Sequence, residues 1–178
     1  MKSCTFIGYQ PTEFFFKYNE LHPLCQKIKA ALLEQSRALY ERGVRRFYVG
    51  GAPGTDMWAG EAVLSLKDRP EYPGIELVCI IPFEGYNKGW EDEHNMRLER
   101  LLSACDDKQA VNTSDKRNSA TKRYRVMADR SEIIVAVCRS GHDTRSNAGQ
   151  AVKYAKKRDK EIIFIHPETA EITCSVQN

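Results

Sequence analysis

From Tyr48 to Glu61 the chain reads Tyr-Val-Gly-Gly-Ala-Pro-Gly-Thr-Asp-Met-Trp-Ala-Gly-Glu. A glycine-rich turn that leaves an apolar strand and opens a helix lets backbone N–H groups approach a phosphate closely. The helix start adds free donors and positive partial charge. Gly50, Gly51 and Gly54 are therefore candidate phosphate contacts, and Thr55 can cap the helix or donate to a phosphate oxygen. The pattern is not a Walker loop, because no Lys-Ser/Thr pair follows, and it is not G-x-G-x-x-G. The same glycines also suit a tight turn that needs positive φ and holds no ligand.

Two carboxylates follow. Asp56 can reach a ribose hydroxyl or a base, or simply favour the helix N-terminus. Glu61 could polarise water or hold a ribose, or stand as a structural glutamate. They lie about 140° apart around a helix, so they form no obvious acid–base pair. Gly8 and Tyr9 sit in an earlier loop, where the Tyr9 ring could stack on a base. Arg125 suits bidentate phosphate binding, but is also spaced to pair with Asp129. Gly141 and Ser146 could hold phosphate where the last helix begins. His142 beside Asp143 suggests catalysis, yet adjacent side chains rarely aim at one point, and an exposed loop fits better. Lys153, Lys156, Lys157, Arg158 and Lys160 read as a solvated face late in that helix. Trp58 and Trp90 read as core before they read as stacking platforms.

The elements that must position these residues alternate. Apolar runs at Cys4–Ile7, Arg46–Val49, Ile75–Ile81, Ile133–Cys138 and Glu161–Ile165 read as strands, with a weak one at Gln109–Asn112. Helices are expected over Glu20–Arg42, Thr55–Lys67, Lys88–Cys105, Ser119–Arg130 and Ser146–Arg158. The expected fold is α/β: one Rossmann-like three-layer domain over residues 1–178, with a mainly parallel sheet of about six strands and helices on both faces. Right-handed crossovers bring the strand-to-helix loops to one edge, where ligands of such sheets bind.

Composition narrows the partners. The chain has 178 residues, 42% hydrophobic and 29% charged, and a formal net charge of +3. That describes a folded domain, and the surplus is too small to argue for nucleic acid by itself. Six cysteines show no C-x-x-C pair, and no histidine cluster has zinc spacing, so no metal site is expected. Cys4, Cys79 and Cys138 read as small buried hydrophobes of a reducing compartment. No signal peptide or membrane span is legible, so a cytoplasmic protein with no membrane partner is expected.

Read in order, the motifs resemble the YpsA-like branch of the SLOG superfamily, named for the SMF/DprA and LOG families. The Gly8-Tyr9-Gln10-Pro11 turn stands where the branch has Gly-His/Tyr-Arg-Pro. Gly50, Gly51, Gly54, Asp56, Trp58, Ala59 and Glu61 match its glycine stretch. Pro82, Phe83 and Trp90 follow, then Arg123, Arg125, Met127 and Asp129, then Tyr154-Ala155. Two departures stand out. Gln10 replaces a basic residue, and Arg145-Ser146-Asn147-Ala148 replaces Arg-Ser-Gly-Thr, which removes a hydroxyl at a phosphate contact. The glycine turn and the helix N-termini on this edge point first to a nucleotide or nucleotide derivative as ligand, in a sensor or partner protein. A second class is an N-glycosidic hydrolase, since LOG proteins are phosphoribohydrolases, with Glu61 or Asp56 as the carboxylate. Here, however, Ser146-Asn147-Ala148-Gly149 does not reproduce the LOG catalytic motif. A third is single-stranded DNA binding as in DprA, although no basic stripe with interleaved aromatics is legible. The superfamily also implies a homodimer.

Overall fold

A computed structural model of the chain describes residues 1–114, 117–139, 143 and 145–175. Among these residues, seven strands form one sheet in the order β4-β3-β2-β1-β5-β6-β7. They are β1 (Lys2–Gly8), β2 (Val44–Val49), β3 (Glu76–Ile81), β4 (Asp107–Ala110), β5 (Ile133–Val137), β6 (Glu161–Ile165) and β7 (Ile172–Cys174). All neighbours run parallel except β6 and β7. The α/β expectation is met. The antiparallel β7 is one strand more than the sequence announces: its three residues are half-buried or exposed, so it carries no core pattern to read.

Among the described residues, five α-helices connect the strands: α1 (Pro23–Glu41), α2 (Thr55–Lys67), α3 (Asp92–Ala104), α4 (Ser119–Asp129) and α5 (Asn147–Lys156). Helix α1 begins three residues later than expected. Pro23 takes the first turn, and His22 caps it by accepting the Leu24 N–H at 3.1 Å. The segment before it, expected to be helical from Glu20, is instead tied to other elements, with Glu20 bridging Arg97 and Lys29. Helix α1 packs on α2 and α2 on α3, while α4 packs on α5. Strand order reverses at β1, so right-handed crossovers place the first three helices on one face and α4 and α5 on the other.

Strand β5 is buried throughout and β1 nearly so, as expected for the middle of a doubly covered sheet. Cys4, Cys79 and Cys138 lie in this core and are free thiols. Among the described residues, no helix is long and apolar enough to cross a membrane.

Candidate functional site

Sequential strands run outward from β1 in one direction through β2, β3 and β4, and in the other through β5 and β6. The gap between β1 and β5 is therefore the topological switch, the place where loops on the carboxyl edge diverge and leave a crevice. A cavity of about 600 Å³ opens there. Tyr9 enters it from the end of β1, Arg139 from the end of β5, and Pro167 and Glu168 from beyond β6. Glu13, Phe14 and Phe15 come from the loop after β1, and Asp143, Arg145 and Ser146 from the approach to α5.

Tyr9 organises this wall. Its N–H donates to the Val137 carbonyl at 3.1 Å, which joins the ends of β1 and β5. Its hydroxyl donates to Asp143, and its ring meets Phe14 edge-on. Burial, followed by the Asp143 carboxylate, pushes the Tyr9 phenol up, so it stays a donor. Asp143 is burdened by partial burial, but bonds from Tyr9 and Ser146 prevail and hold it at about 2. It accepts the backbone N–H groups of Arg145 and Ser146 at 3.2 and 3.1 Å and the Ser146 hydroxyl at 2.7 Å. Ser146 in turn caps α5 by accepting the Gly149 N–H at 2.9 Å. The chain's own carboxylate thus sits where an anion would meet the start of α5.

Glu13 is raised by burial, against the pull of the Gln10 N–H. Its carboxylate accepts that N–H at 2.8 Å. Arg139 pairs with Glu168 at the surface, and Arg145 is exposed. Phe15 is 79% exposed, an unusual position for a ring beside a cavity.

The glycine turn lies beside this cavity but does not line it. Gly54 (φ +86) opens α2 directly beneath Tyr9. A Cβ there would stand 2.7 Å from the Tyr9 carbonyl oxygen. That carbonyl accepts both the Thr55 N–H, at 3.2 Å, and the Thr55 hydroxyl, at 3.0 Å. Gly8 abuts the Thr55 side chain, which leaves no room for a Cβ. The carbonyl of Gly51 (φ +73) accepts the Tyr86 hydroxyl at 2.8 Å. The Gly50 carbonyl accepts from Arg123 at 2.7 Å.

Below the turn, Arg123 and Asp56 form an ion pair at 3.1 Å, and each side chain is 2% exposed. The Ala52 N–H also reaches Asp56, at 3.4 Å. Burial pushes the Asp56 carboxyl up, against the pull of Arg123. Asp56 Oδ1 and Arg123 Nε have no hydrogen-bond partner among the described residues.

The remaining candidates are dispersed. Glu61 receives two bonds from Arg97, both at 2.8 Å, between α2 and α3. Arg125 is exposed on α4 and lines a separate hollow with Arg117, Lys122 and Gln150. Gly141 and His142 lie outside the described residues. Tyr9 and Ser146 are thus brought together in the cavity; Asp56, Glu61 and Arg125 are not. Phe14, Phe15, Glu13, Arg139 and Arg145 are residues that reasoning from sequence left out. The Phe14-Phe15-Phe16 run in the first edge loop was the available signal. Among the described residues, no group of three or more His, Cys, Asp or Glu is placed to hold a metal ion.

The family model described as the YspA SLOG family (YpsA) matches residues 4–170. The chain belongs to that family. Its relatives include a UPF0398 protein of Bacillus pumilus, 29% identical over 146 residues, which are 80% of this chain and 76% of the relative. A UPF0398 protein of Bacillus thuringiensis is 32% identical over 106 residues, 60% of this chain and 56% of that one. Among solved structures, DNA processing protein A of Helicobacter pylori, described for its single-stranded DNA binding mode, superimposes with TM-score 0.58 at 16% identity. DprA of Streptococcus pneumoniae gives TM-score 0.58 at 12% identity. Each superposition covers 92% of this chain but only 64% and 50% of the respective DprA chains. The YspA SLOG chain therefore shares the Rossmann-like fold of DprA at a sequence distance where fold alone is conveyed.

Proposed function

We propose that this protein binds a nucleotide-derived, phosphate-bearing small molecule in the cavity over β1, β5 and β6, as a cytoplasmic sensor or partner protein. The observation that carries this reading is the lining at the topological switch. An exposed aromatic ring, two arginines and three carboxylates, one of them (Glu168) paired with Arg139, face one hollow of about 600 Å³.

The chemistry sorts the ligand. A base can lie against Phe15 and the edge of Tyr9. Ribose hydroxyls can donate to Glu13 or Asp143. Asp143 already holds the amides at the start of α5, so phosphate falls to the Arg145 and Arg139 side chains. Freeing Arg139 from Glu168 costs little, because exposed pairs are worth about 0–1 kcal/mol.

Calorimetric titration with adenosine, AMP, ADP and ADP-ribose tests the reading. The phosphorylated compounds should bind and adenosine should not match them. Arg145→Ala should weaken binding about 10- to 100-fold, as expected for a hydrogen bond to a charged group. Saturation by none of them, or an Arg145→Ala variant that binds like the parent, would refute it.

A hydrolytic version has one observation in its favour: Glu13 is a carboxylate of raised pKa that lines the cavity. Asp56 and Glu61 are engaged by arginines elsewhere, so Glu13 is the carboxylate to test. Base release from a nucleotide panel, lost in Glu13→Gln, would select this version. Single-stranded DNA binding in this cavity would come to the chain from the shared fold alone.

A further inference from the structure

We propose that the groove between α4 and α5 binds a single nucleic-acid strand through its phosphodiester backbone. This surface is separate from the cavity over β1 and β5 and does not depend on what that cavity holds.

Two adjoining hollows, of about 440 and 260 Å³, share Arg125 and Gln150 and so form one groove. Arg117, Lys122 and Arg125 line the α4 side, and Lys153 and Lys157 line the α5 side. All five are exposed. Gln150 and Lys153 on α5 and Lys157, the residue that caps its C-terminal end, follow one face and span about 10 Å along the axis. Neither hollow has a carboxylate among its described lining residues. In a chain whose net charge is only +3, five cations in one groove are a concentration, not a sample of the surface.

Neutral hydrogen-bonding side chains fill the spaces between the cations: Asn118, Thr121 and Gln150. Lys122 is steadied by the Asn112 side-chain oxygen at 3.0 Å, which leaves further ammonium donors free. Asp129, at the end of α4, accepts the Tyr154 hydroxyl at 2.8 and 3.0 Å and pairs with Arg158 at 3.0 Å.

These features select a backbone ligand. A folded protein partner is held by aromatic or arginine anchors set in well-packed, desolvated pockets, which these exposed side chains do not form. The one aromatic residue here, Tyr154, lies under the Arg158 guanidinium at 3.7 Å, with its hydroxyl occupied. That also removes it as a platform for stacked bases. What remains is guanidinium, ammonium and amide chemistry suited to phosphate oxygens, which carries no sequence information. Recognition should therefore be indifferent to base and to ribose or deoxyribose.

Fluorescence anisotropy with labelled oligo-dT and oligo-U tests the proposal. Five phosphate contacts on a single strand give a log K against log salt slope of about −3.5, or roughly a hundredfold loss of affinity between 50 and 200 mM salt. The triple variant Arg125→Ala, Lys153→Ala, Lys157→Ala should retain its thermal midpoint, because these side chains are exposed, and should show a slope of about −1.4. Lys27→Ala, exposed on α1 across the sheet, should bind like the parent, and so should Arg145→Ala. That last variant keeps this result distinct from the fate of the cavity reading. No binding at low salt, equal binding by the triple and Lys27→Ala variants, or equal affinity for polyglutamate would each overturn the proposal.

Discussion

Replacing Arg123 with methionine removes the one cation beside a carboxylate that is 2% exposed. Arg123 bonds the Gly50 carbonyl at 2.7 Å and meets Asp56 at 3.1 Å, while Asp56 Oδ1 already lacks a partner. In Arg123→Met, Asp56 keeps only backbone support from the glycine turn. Breaking a buried pair from one side costs about 3–5 kcal/mol. In a domain of this size that lowers the thermal midpoint by roughly 6–20 °C. The carboxyl can escape part of the penalty by taking a proton. In the variant its folded pKa lies above its unfolded value, so stability is fully present below the unfolded value of about 3.9 and is lost as pH rises through the folded value. The loss should therefore be larger at pH 8 than at pH 5. Adding Asp56→Asn removes the stranded charge and should recover at least half of the loss. Urea unfolding of the two single variants, the double variant and the parent at both pH values supplies the cycle. A loss below about 1 kcal/mol at pH 8, or a double variant no more stable than Arg123→Met, would refute the reasoning.

Two further perturbations address the same framework. Gly54→Ala places a Cβ 2.7 Å from the Tyr9 carbonyl at φ +86, whereas Gly43→Ala, at φ +91, meets nothing within 4 Å. Positive φ strains both, and Gly54 (ψ −135°) lies outside even the left-handed helical well, so with its blocked Cβ Gly54→Ala should cost clearly more in urea unfolding; equal losses would contradict the close approach. Burial raises Glu20, but bonds from Arg97 and Lys29 prevail and hold it at about 2. Its folded pKa lies below the unfolded value of about 4.3, so its contribution is present above that value and lost as pH falls toward 2. Glu20→Gln should flatten the decline in stability across that window, and parallel acid-unfolding curves would count against the bridge.

Much of the scaffold was legible because each central element carries one uninterrupted signal. Strand β5 is a continuous apolar run, and α2 begins at Thr55 and ends at Lys67 as its pattern indicates. Boundaries slipped where a local signal was overruled. The start of α1 moved to Pro23 because Glu20 is drawn into a bridge with residues far away in sequence. The weak strand β4 runs Asp107–Ala110, two residues earlier than its apolar pattern suggests, because it pairs in register with Val78–Ile81. The site was less legible. Gly50, Gly51, Gly54 and Thr55 announce a strand–turn–helix junction, which is present. The partners of that junction, Tyr86, Arg123 and the Tyr9 carbonyl, lie tens of residues away, and sequence spacing holds no record of them. The cavity gathers loops from three strand ends, and the basic groove gathers cations from two helices. Neither set is contiguous in the chain.

Backbone amide shifts, recorded while the protein is titrated with ADP-ribose, test the central claim most directly. The account predicts that the largest changes fall on Tyr9, Glu13, Phe15, Arg139 and Arg145, with Gly51 and Thr55 little altered. Changes centred on Gly50 to Thr55, with the cavity loops silent, would contradict it.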